Sequence, residues 1–288
     1  MIQHEAKAAS LPSTTIPALA WRLEDLPLDE IDLPRIRGRE DMKFMLAAAS
    51  FIEIASDTYA GNLAAFFHDA PDIALWLAEH WEVEEVQHGR ALRAYVEKVW
   101  PEFDWETAYR DFFVEYSKLC GAEGYEASRG LEMAARCVVE TGTSTAYRAI
   151  RDLADEPVLV RLAEHIRSDE VRHYKHFLKF FDRYDAHEKN SRLRILMSLK
   201  NRLVESAQGD VEIGLWHAYR TCYPEARRDG KPFTSMQSGI ARKIRAHYPA
   251  GQAIRMLLKP LRLPALLSSI LQPFLSPLAL VIRQVLLR

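Results

Sequence analysis

Two copies of the pattern Glu-x-x-His are the part of this sequence most suited to chemistry. They are Glu85 with His88 and Glu170 with His173. On a helix, a spacing of three residues is a rotation of about 300°, so the carboxylate and the imidazole of each copy project from one face, one turn apart. Such a pair can bind the same metal ion. One copy alone is a weak signal, because so short a pattern arises readily by chance.

The two copies belong to an internal repeat. Residues 77–88 and residues 162–173 are identical at seven of twelve positions and lie 85 positions apart. This repeat predicts a duplicated pair of helices. Each Glu-x-x-His lies in the second helix of its pair, and each first helix carries one acid, Glu53 or Glu140, within a largely apolar run.

The acids Glu53 and Glu140 are predicted to face the interior. An unpaired buried carboxylate costs several kcal/mol or takes up a proton, and coordination to a metal ion removes that cost. Four carboxylates would be neutralised by two divalent ions, and a carboxylate-rich ligand set with two imidazoles suits iron or manganese. We therefore predict a two-metal site with the ligands Glu53, Glu85, His88, Glu140, Glu170 and His173.

Several neighbours of these ligands are also candidates for a role. Glu84 and Asp169 precede the motif acids, and each either accepts a hydrogen bond from the non-ligating nitrogen of a histidine on another helix or is simply exposed. Thr143 follows Glu140 by one turn and is expected to face the same cavity, although a buried Thr more often donates to a carbonyl. A five-residue offset is a rotation of about 140°, so surface positions are expected for the remaining charged neighbours. These are Glu79, His80, Glu82, Glu164 and His165.

Long helices are needed to position the ligands, and the hydrophobic periodicity predicts four of them. They cover residues 41–68, 72–100, 125–154 and 158–185. A shorter helix, capped by Asp104, is predicted to end near residue 121. A helix of about 25 residues is about 40 Å long, which is the geometry of a bundle. The predicted fold class is all-α, a ferritin-like four-helix bundle with additional C-terminal helices.

The composition fits a single helix-rich domain and excludes a repeat array, a collagen and a disordered chain. The chain has 288 residues, 48% hydrophobic and 27% charged. We expect an extended lead without assigned function over residues 1–38, the bundle over 39–188, and a helical extension packed on it over 189–288. Three widely spaced cysteines and the lack of a leader pattern predict a cytoplasmic protein without a disulfide framework.

The net charge of −2 is the sum of two opposed regions. Residues 189–288 contain 17 Lys and Arg against 5 Asp and Glu, and the rest of the chain contains 21 against 35. The basic region could dock an acidic carrier protein or lie on an anionic membrane through the apolar residues 263–288. Alternatively, it folds over the bundle or forms a subunit interface, with its charge merely solvated. Prolines interrupt that apolar stretch, so no transmembrane helix is predicted. No nucleic-acid partner is predicted, because no recognition motif accompanies the charge.

The motifs resemble those of the soluble acyl-carrier-protein desaturases, within the ferritin-like di-iron superfamily. The matching features are Trp81-x-x-Glu84-Glu85-x-x-His88-Gly89, Asp169-Glu170-x-Arg172-His173, Glu53 six residues before Tyr59, and Glu140-x-x-Thr143. The resemblance covers about residues 40–185. It implies two iron ions on the six residues named above, with Thr143 as a helper in the activation of O2. It also implies an acyl thioester on a carrier protein or coenzyme A, a ferredoxin-like electron donor and a homodimer.

The leading hypothesis from the sequence is an O2-dependent di-iron desaturase of a fatty acyl thioester. The alternative is hydroxylation, N-oxygenation or oxidative C–C cleavage of a smaller metabolite. Di-iron N-oxygenases, which the pattern also resembles, carry a further His four residues before the last motif Glu, where this sequence has Ile166 with His165 one step away. An iron-storage protein and a metal-free scaffold are the other hypotheses. The long C-terminal region disfavours the first of these, and the complete ligand set disfavours the second.

Overall fold

The computed structural model describes residues 19–119, 124–206 and 209–264, and these residues form helices and connecting turns without any strand. The all-α prediction is therefore confirmed for this part of the chain. The helices are α1 Leu33–Ile36, α2 Glu40–Ile54, α3 Asp57–Phe66, α4 Pro71–Trp76, α5 Glu82–Val99, α6 Trp105–Tyr116, α7 Arg129–Leu153, α8 Pro157–Glu188, α9 Arg192–Ser206, α10 Asp210–Cys222, α11 Lys231–His247 and α12 Ala250–Leu258. A π-helical turn, Leu77–Trp81, joins α4 directly to α5.

The first predicted long helix is wrong in one respect, because it is interrupted after Ile54. Ala55 and Ser56 form a turn between α2 and α3. The Ser56 hydroxyl donates to the carbonyl oxygen of Glu53 at 2.7 Å. A serine side chain that binds a nearby backbone group in this way competes with regular helix formation. The break leaves Glu53 at the end of α2, next to the centre of the molecule.

Four helices surround that centre. α7 packs along α8, α2 packs along α5, and α5 also contacts α8. Apolar side chains form two clusters: one around α2, α5, α6 and α10, the other around α3, α4, α7 and α8. The apolar residues at helical intervals drive this packing, because each helix must bury its apolar stripe against a neighbour.

The C-terminal helices pack against these four. α10 contacts α2 and α6, α9 and α12 contact α7, and α11 contacts both α2 and α7. Part of the positive charge of this region is used in ion pairs with the acidic bundle. The pairs are Lys243 with Asp41 at 2.7 Å, Arg228 with Glu115 at 2.6 Å, and Arg262 with Asp182 at 2.6 Å and Asp185 at 2.9 Å.

No helix among the described residues has the length and apolar character needed to cross a membrane. Most of the predicted membrane-contact segment, residues 265–288, lies outside the described residues, as do residues 1–18 of the predicted lead. In the described part of the chain, Cys137 and Cys222 are free thiols. Cys120 lies outside it.

The N-terminus of α8 is held by a buried carboxylate, Glu156. Its side chain accepts hydrogen bonds from the backbone N–H groups of Val158 and Leu159, at 3.1 and 2.7 Å. The same carboxylate accepts from the Tyr95 hydroxyl at 2.8 Å and from the Asp32 N–H at 3.2 Å. Glu156 thus caps α8 and also ties it to α5 and to the N-terminal lead.

Replacing Glu156 by Ala is expected to lower the free energy of unfolding by about 3 kcal/mol. The substitution removes a helix cap and leaves the buried Tyr95 hydroxyl without an acceptor. Urea denaturation would measure the change. Asp104→Ala is the matched control: Asp104 caps α6 through the single acceptor contact to the Thr107 N–H, and it is exposed, so a clearly smaller loss is expected. Equal losses in the two variants would contradict the role assigned to Glu156.

Candidate metal centre

The six predicted ligands lie together and buried between α2, α5, α7 and α8. Their donor atoms form two groups, and within each group the atoms lie within 4.8 Å of one another. The first group is Glu53, Glu85, His88 and Glu170; the second is Glu85, Glu140, Glu170 and His173. Glu85 and Glu170 belong to both. Two groups of four donors that share two carboxylates can hold two metal ions side by side.

The internal repeat explains why the shared residues are Glu85 and Glu170. Each is the acid of a Glu-x-x-His motif, on α5 and on α8, and its histidine lies one turn further along the same helix face. Glu53 on α2 and Glu140 on α7 each add a single carboxylate from the partner helix of the pair. The site therefore has the pseudo-symmetry of the repeat, with each half contributing one acid and one motif.

The two histidines are oriented by carboxylates on the opposite half of the repeat. His88 Nε2 lies 2.9 Å from Asp169 Oδ2, and His173 Nε2 lies 2.7 Å from Glu84 Oε2. With the proton on Nε2, each ring donates to its carboxylate and presents the Nδ1 lone pair to the cluster. Asp169 and Glu84 are both 1% exposed, so neither is the surface charge considered as the alternative.

Buried atoms without a hydrogen-bond partner mark the space between the ligands. They include Nδ1 of His88, Nδ1 of His173, Oε2 of Glu140 and Oε1 of Glu170. Leaving such atoms unpaired in a protein interior costs roughly 1–3 kcal/mol each. His88 Nδ1 lies 3.3 Å from Glu170 Oε1, and His173 Nδ1 lies 3.0 Å from Glu85 Oε1. Lone pairs that converge in this way fit a pair of divalent cations.

In the metal-free protein, three of the four carboxyl groups of the cluster hold a proton more strongly than usual. Burial, followed by the charge of Glu170, raises the pKa of Glu53, Glu85 and Glu140, that of Glu140 to about 8. Burial also opposes ionisation of Glu170, but the adjacent imidazole of His88 and the charge of His173 hold its pKa at about 2. Metal binding to such a site releases protons.

The two histidines gain rather than lose affinity for protons. Burial alone would lower the pKa of both imidazoles. For His88 the hydrogen bond to Asp169 and the adjacent carboxylate of Glu170 outweigh burial and raise its pKa well above the usual value. For His173 the adjacent carboxylates of Glu140 and Glu85 and the hydrogen bond to Glu84 have the same effect. Without metal the rings are therefore drawn towards the charged form, which partly compensates the four carboxylates.

The stability of the metal-free protein is expected to fall as the pH rises from about 4.5 to about 8. The pKa of Glu140 is raised from 4.5 to about 8 in the folded protein, so its protonated form stabilises the fold at acid pH, and this contribution is lost as the carboxyl ionises. Urea denaturation in the presence of a chelator would measure the trend. Glu140→Gln should make the curve flatter over this pH range. A curve that rises throughout this range would contradict the expectation.

Three further side chains contact the ligands. The Thr143 hydroxyl lies 2.6 Å from Glu170 Oε2 and can donate to it, with longer contacts of 3.3 Å to the carbonyls of Val139 and Glu140. The Tyr147 hydroxyl donates to Glu53 Oε1 at 2.5 Å. Trp81 Nε1 donates to Glu140 Oε1 at 3.3 Å. Thr143 thus contacts a shared acid, whereas Tyr147 and Trp81 contact the two unshared acids.

Trp21 is a residue of the site that the sequence did not identify. Its indole Nε1 donates to Asp169 Oδ2 at 2.7 Å, and its ring lies parallel to that of His88 with centroids 6.1 Å apart. His165 stacks on the same indole at 5.1 Å. The sequence assigns no function to the lead, yet the lead completes a hydrogen-bonded chain from Trp21 through Asp169 to His88. A single Trp in a proline-containing segment was the only available signal.

The surface position expected for His80 is wrong. The side chain is buried, and its Nε2 lies 3.6 Å from Glu84 Oε2. The reason is the π-helical turn Leu77–Trp81, which changes the rotation per residue assumed for a regular helix. Glu79 is exposed, and Glu82 and Glu164 are half-buried away from the donor groups. Around Ile166, α8 continues as a regular α-helix, and Ile166 is fully buried in the apolar core.

Comparisons of this chain with protein-family models, with curated proteins and with solved structures find no match.

Proposed function

We propose that this chain is a ferritin-like di-iron oxidoreductase that uses O2 to desaturate a fatty acyl thioester. The observation that carries the proposal is the pair of buried donor groups that share Glu85 and Glu170. A site with four carboxylates and two imidazoles is rich in hard oxygen ligands and suits iron, with manganese as the nearest substitute. Glu53 and His88 would complete the ligands of one ion, and Glu140 and His173 those of the other.

Two irons held here would supply the oxidation of an unreactive C–H bond, which no amino-acid side chain can perform. The protein's own residues have supporting tasks. Asp169 and Glu84 fix the imidazoles through their Nε2 atoms. The Thr143 hydroxyl holds a proton next to the shared carboxylate of Glu170. The buried aromatic and aliphatic shell around the cluster excludes water.

An acyl chain is favoured over an amine as substrate by what surrounds Glu170. The position one turn before it is the buried, apolar Ile166, in a regular stretch of α8. A further His ligand at that position would have favoured N-oxygenation. The resemblance to the acyl-carrier-protein desaturases supports the same substrate class. As partners we propose an acyl carrier protein or coenzyme A thioester and a ferredoxin-like electron donor.

The proposal can be tested by loading the purified protein with ferrous iron under anaerobic conditions and counting the bound metal. Two irons per chain are expected. The loaded protein, a fatty acyl thioester, a reduced ferredoxin and O2 should then give a product lighter by two hydrogens in mass spectrometry. A product heavier by one oxygen would replace desaturation by hydroxylation, and many irons per chain would indicate storage. A protein that binds no iron would refute the proposal.

A further inference from the structure

The outward face of α9 carries apolar side chains, whereas a surface helix normally carries polar ones there. The exposed fractions are 68% for Leu193, 48% for Leu196, 44% for Met197 and 41% for Val204. These are four of the ten large apolar side chains that are exposed in the described part of the chain. The other face of α9, with Ile195 and Leu199, is already buried against the protein. The helix therefore has a second apolar face that the described residues do not cover.

The same outward face is positively charged. Arg194 and Lys200 are exposed, and neither forms an ion pair with a described residue. Arg202 differs, because it pairs with Glu132 at 3.3 Å and with Glu205 at 3.4 Å. Glu205 is the one acid in the sequence of α9. A shallow cavity of about 380 Å³ borders this face, between Leu193, Arg194 and Met197 of α9 and the segment 126–131, which includes Glu126.

The described chain ends beside the beginning of α9. Arg192 Nη2 donates to the carbonyl oxygen of Arg262 at 3.3 Å, and Lys259–Leu261 contacts α9. Residues 265–288 continue from that point. Their sequence contains Arg283 and Arg288, no acid, and mostly apolar residues otherwise. The sequence that follows the described chain at this point therefore has the same apolar and cationic character as α9.

We propose that the outward face of α9 binds an anionic lipid surface. Leu193, Met197 and their neighbours would insert at the boundary of the acyl chains, while Arg194 and Lys200 would contact the phosphate groups. The charge argues against other occupants. Residues 265–288 are cationic, and so is a second copy of α9, so either would bring like charges together, whereas an anionic lipid surface neutralises them. This interaction is independent of the metal centre.

Co-sedimentation of the full chain with phosphatidylcholine vesicles, with and without phosphatidylglycerol, tests the proposal. Binding is expected to the phosphatidylglycerol vesicles and should weaken as salt is added. The double variant Arg194→Gln, Lys200→Gln should lower the partition coefficient about tenfold. The double variant Leu193→Ser, Met197→Ser should also lower it at least about tenfold. All four side chains are exposed, so thermal melting should show an unchanged fold.

A matched control is available on α6, where a cation and an apolar residue are exposed one turn apart. The side chain of Arg110 is 67% exposed, and Val114 is 59% exposed. The double variant Arg110→Gln, Val114→Ser should bind vesicles like the unaltered chain. Unchanged vesicle binding by the α9 variants would overturn the proposal. Failure of the unaltered chain to bind the vesicles would also overturn it. This holds whether Leu193→Ser then dissociates an oligomer or lowers the melting temperature.

Discussion

Replacing Glu170 by Ala is expected to abolish binding of both metal ions. Glu170 supplies a donor atom to each of the two groups, and its two oxygens face different histidines, His88 Nδ1 at 3.3 Å and His173 Nδ1 at 4.0 Å. Loss of a residue that merely orients a ligand weakens metal affinity about 10–100-fold, and loss of a shared ligand should cost more at both positions. Iron content after anaerobic loading and dialysis would fall from two ions per chain to none.

The expectation for the unshared acids differs and makes the test specific. Glu53 belongs to the first donor group alone, and Glu140 to the second alone. Each of the variants Glu53→Ala and Glu140→Ala should hold the ion of its intact donor group more tightly than the ion of its altered group. Glu164→Ala, on the same helix as Glu170 but outside both groups, should retain two ions and controls for general damage to α8. Two tightly held ions in Glu170→Ala would contradict the shared role, provided that circular dichroism shows the helices intact.

Replacing Gly89 by Ala is expected to destabilise the fold by forcing two helices apart. A Cβ atom at this position would lie 2.6 Å from the backbone nitrogen of Ile54 and 2.9 Å from the carbonyl oxygen of Ser50. These are backbone atoms of α2, so they cannot rotate away, and the two helices must separate. Overpacking of this kind costs roughly 1–3 kcal/mol and occasionally more. We expect about 3 kcal/mol less free energy of unfolding, measured by urea denaturation.

The same substitution should also weaken the metal centre, because Gly89 follows the ligand His88 and Glu53 precedes Ile54. Any movement of α2 away from α5 carries Glu53 away from the other donors. Gly61→Ala is the control: Gly61 lies in α3, and a Cβ there meets no atom within 4 Å. Removing an unneeded helix glycine should stabilise the protein by up to about 1 kcal/mol. A Gly89→Ala variant with undiminished stability would show that α2 and α5 approach less closely than described.

The residues of the two donor groups could be predicted from the sequence because helix periodicity is a local property. The three-position spacing of Glu85 and His88 determines that the two side chains share a face, whatever the rest of the chain does. The repeat at Glu170 and His173 then doubles the signal. The prediction that Glu53 and Glu140 face inward came from their apolar neighbours, which is also local information. The geometry of the described chain brings all six residues into the two donor groups.

Local reasoning failed where the helix departs from its regular period. The break at Ala55 and Ser56 is accompanied by a side-chain hydrogen bond to the Glu53 carbonyl. The buried position of His80 depends on a π-helical turn. Neither leaves a strong pattern in the sequence, because a serine or a histidine in an apolar helix is compatible with several backbone conformations.

What the sequence determined by itself is therefore the chemistry of the site: which acids and imidazoles recur at helical spacing in two equivalent places. The tertiary structure alone decided which residues meet across helices. It pairs His88 with Asp169 and His173 with Glu84, and it brings Trp21 from the N-terminal lead onto Asp169, 148 positions away. Such contacts follow from how separate helices pack, and packing depends on the shape of the whole core rather than on the order of neighbouring residues.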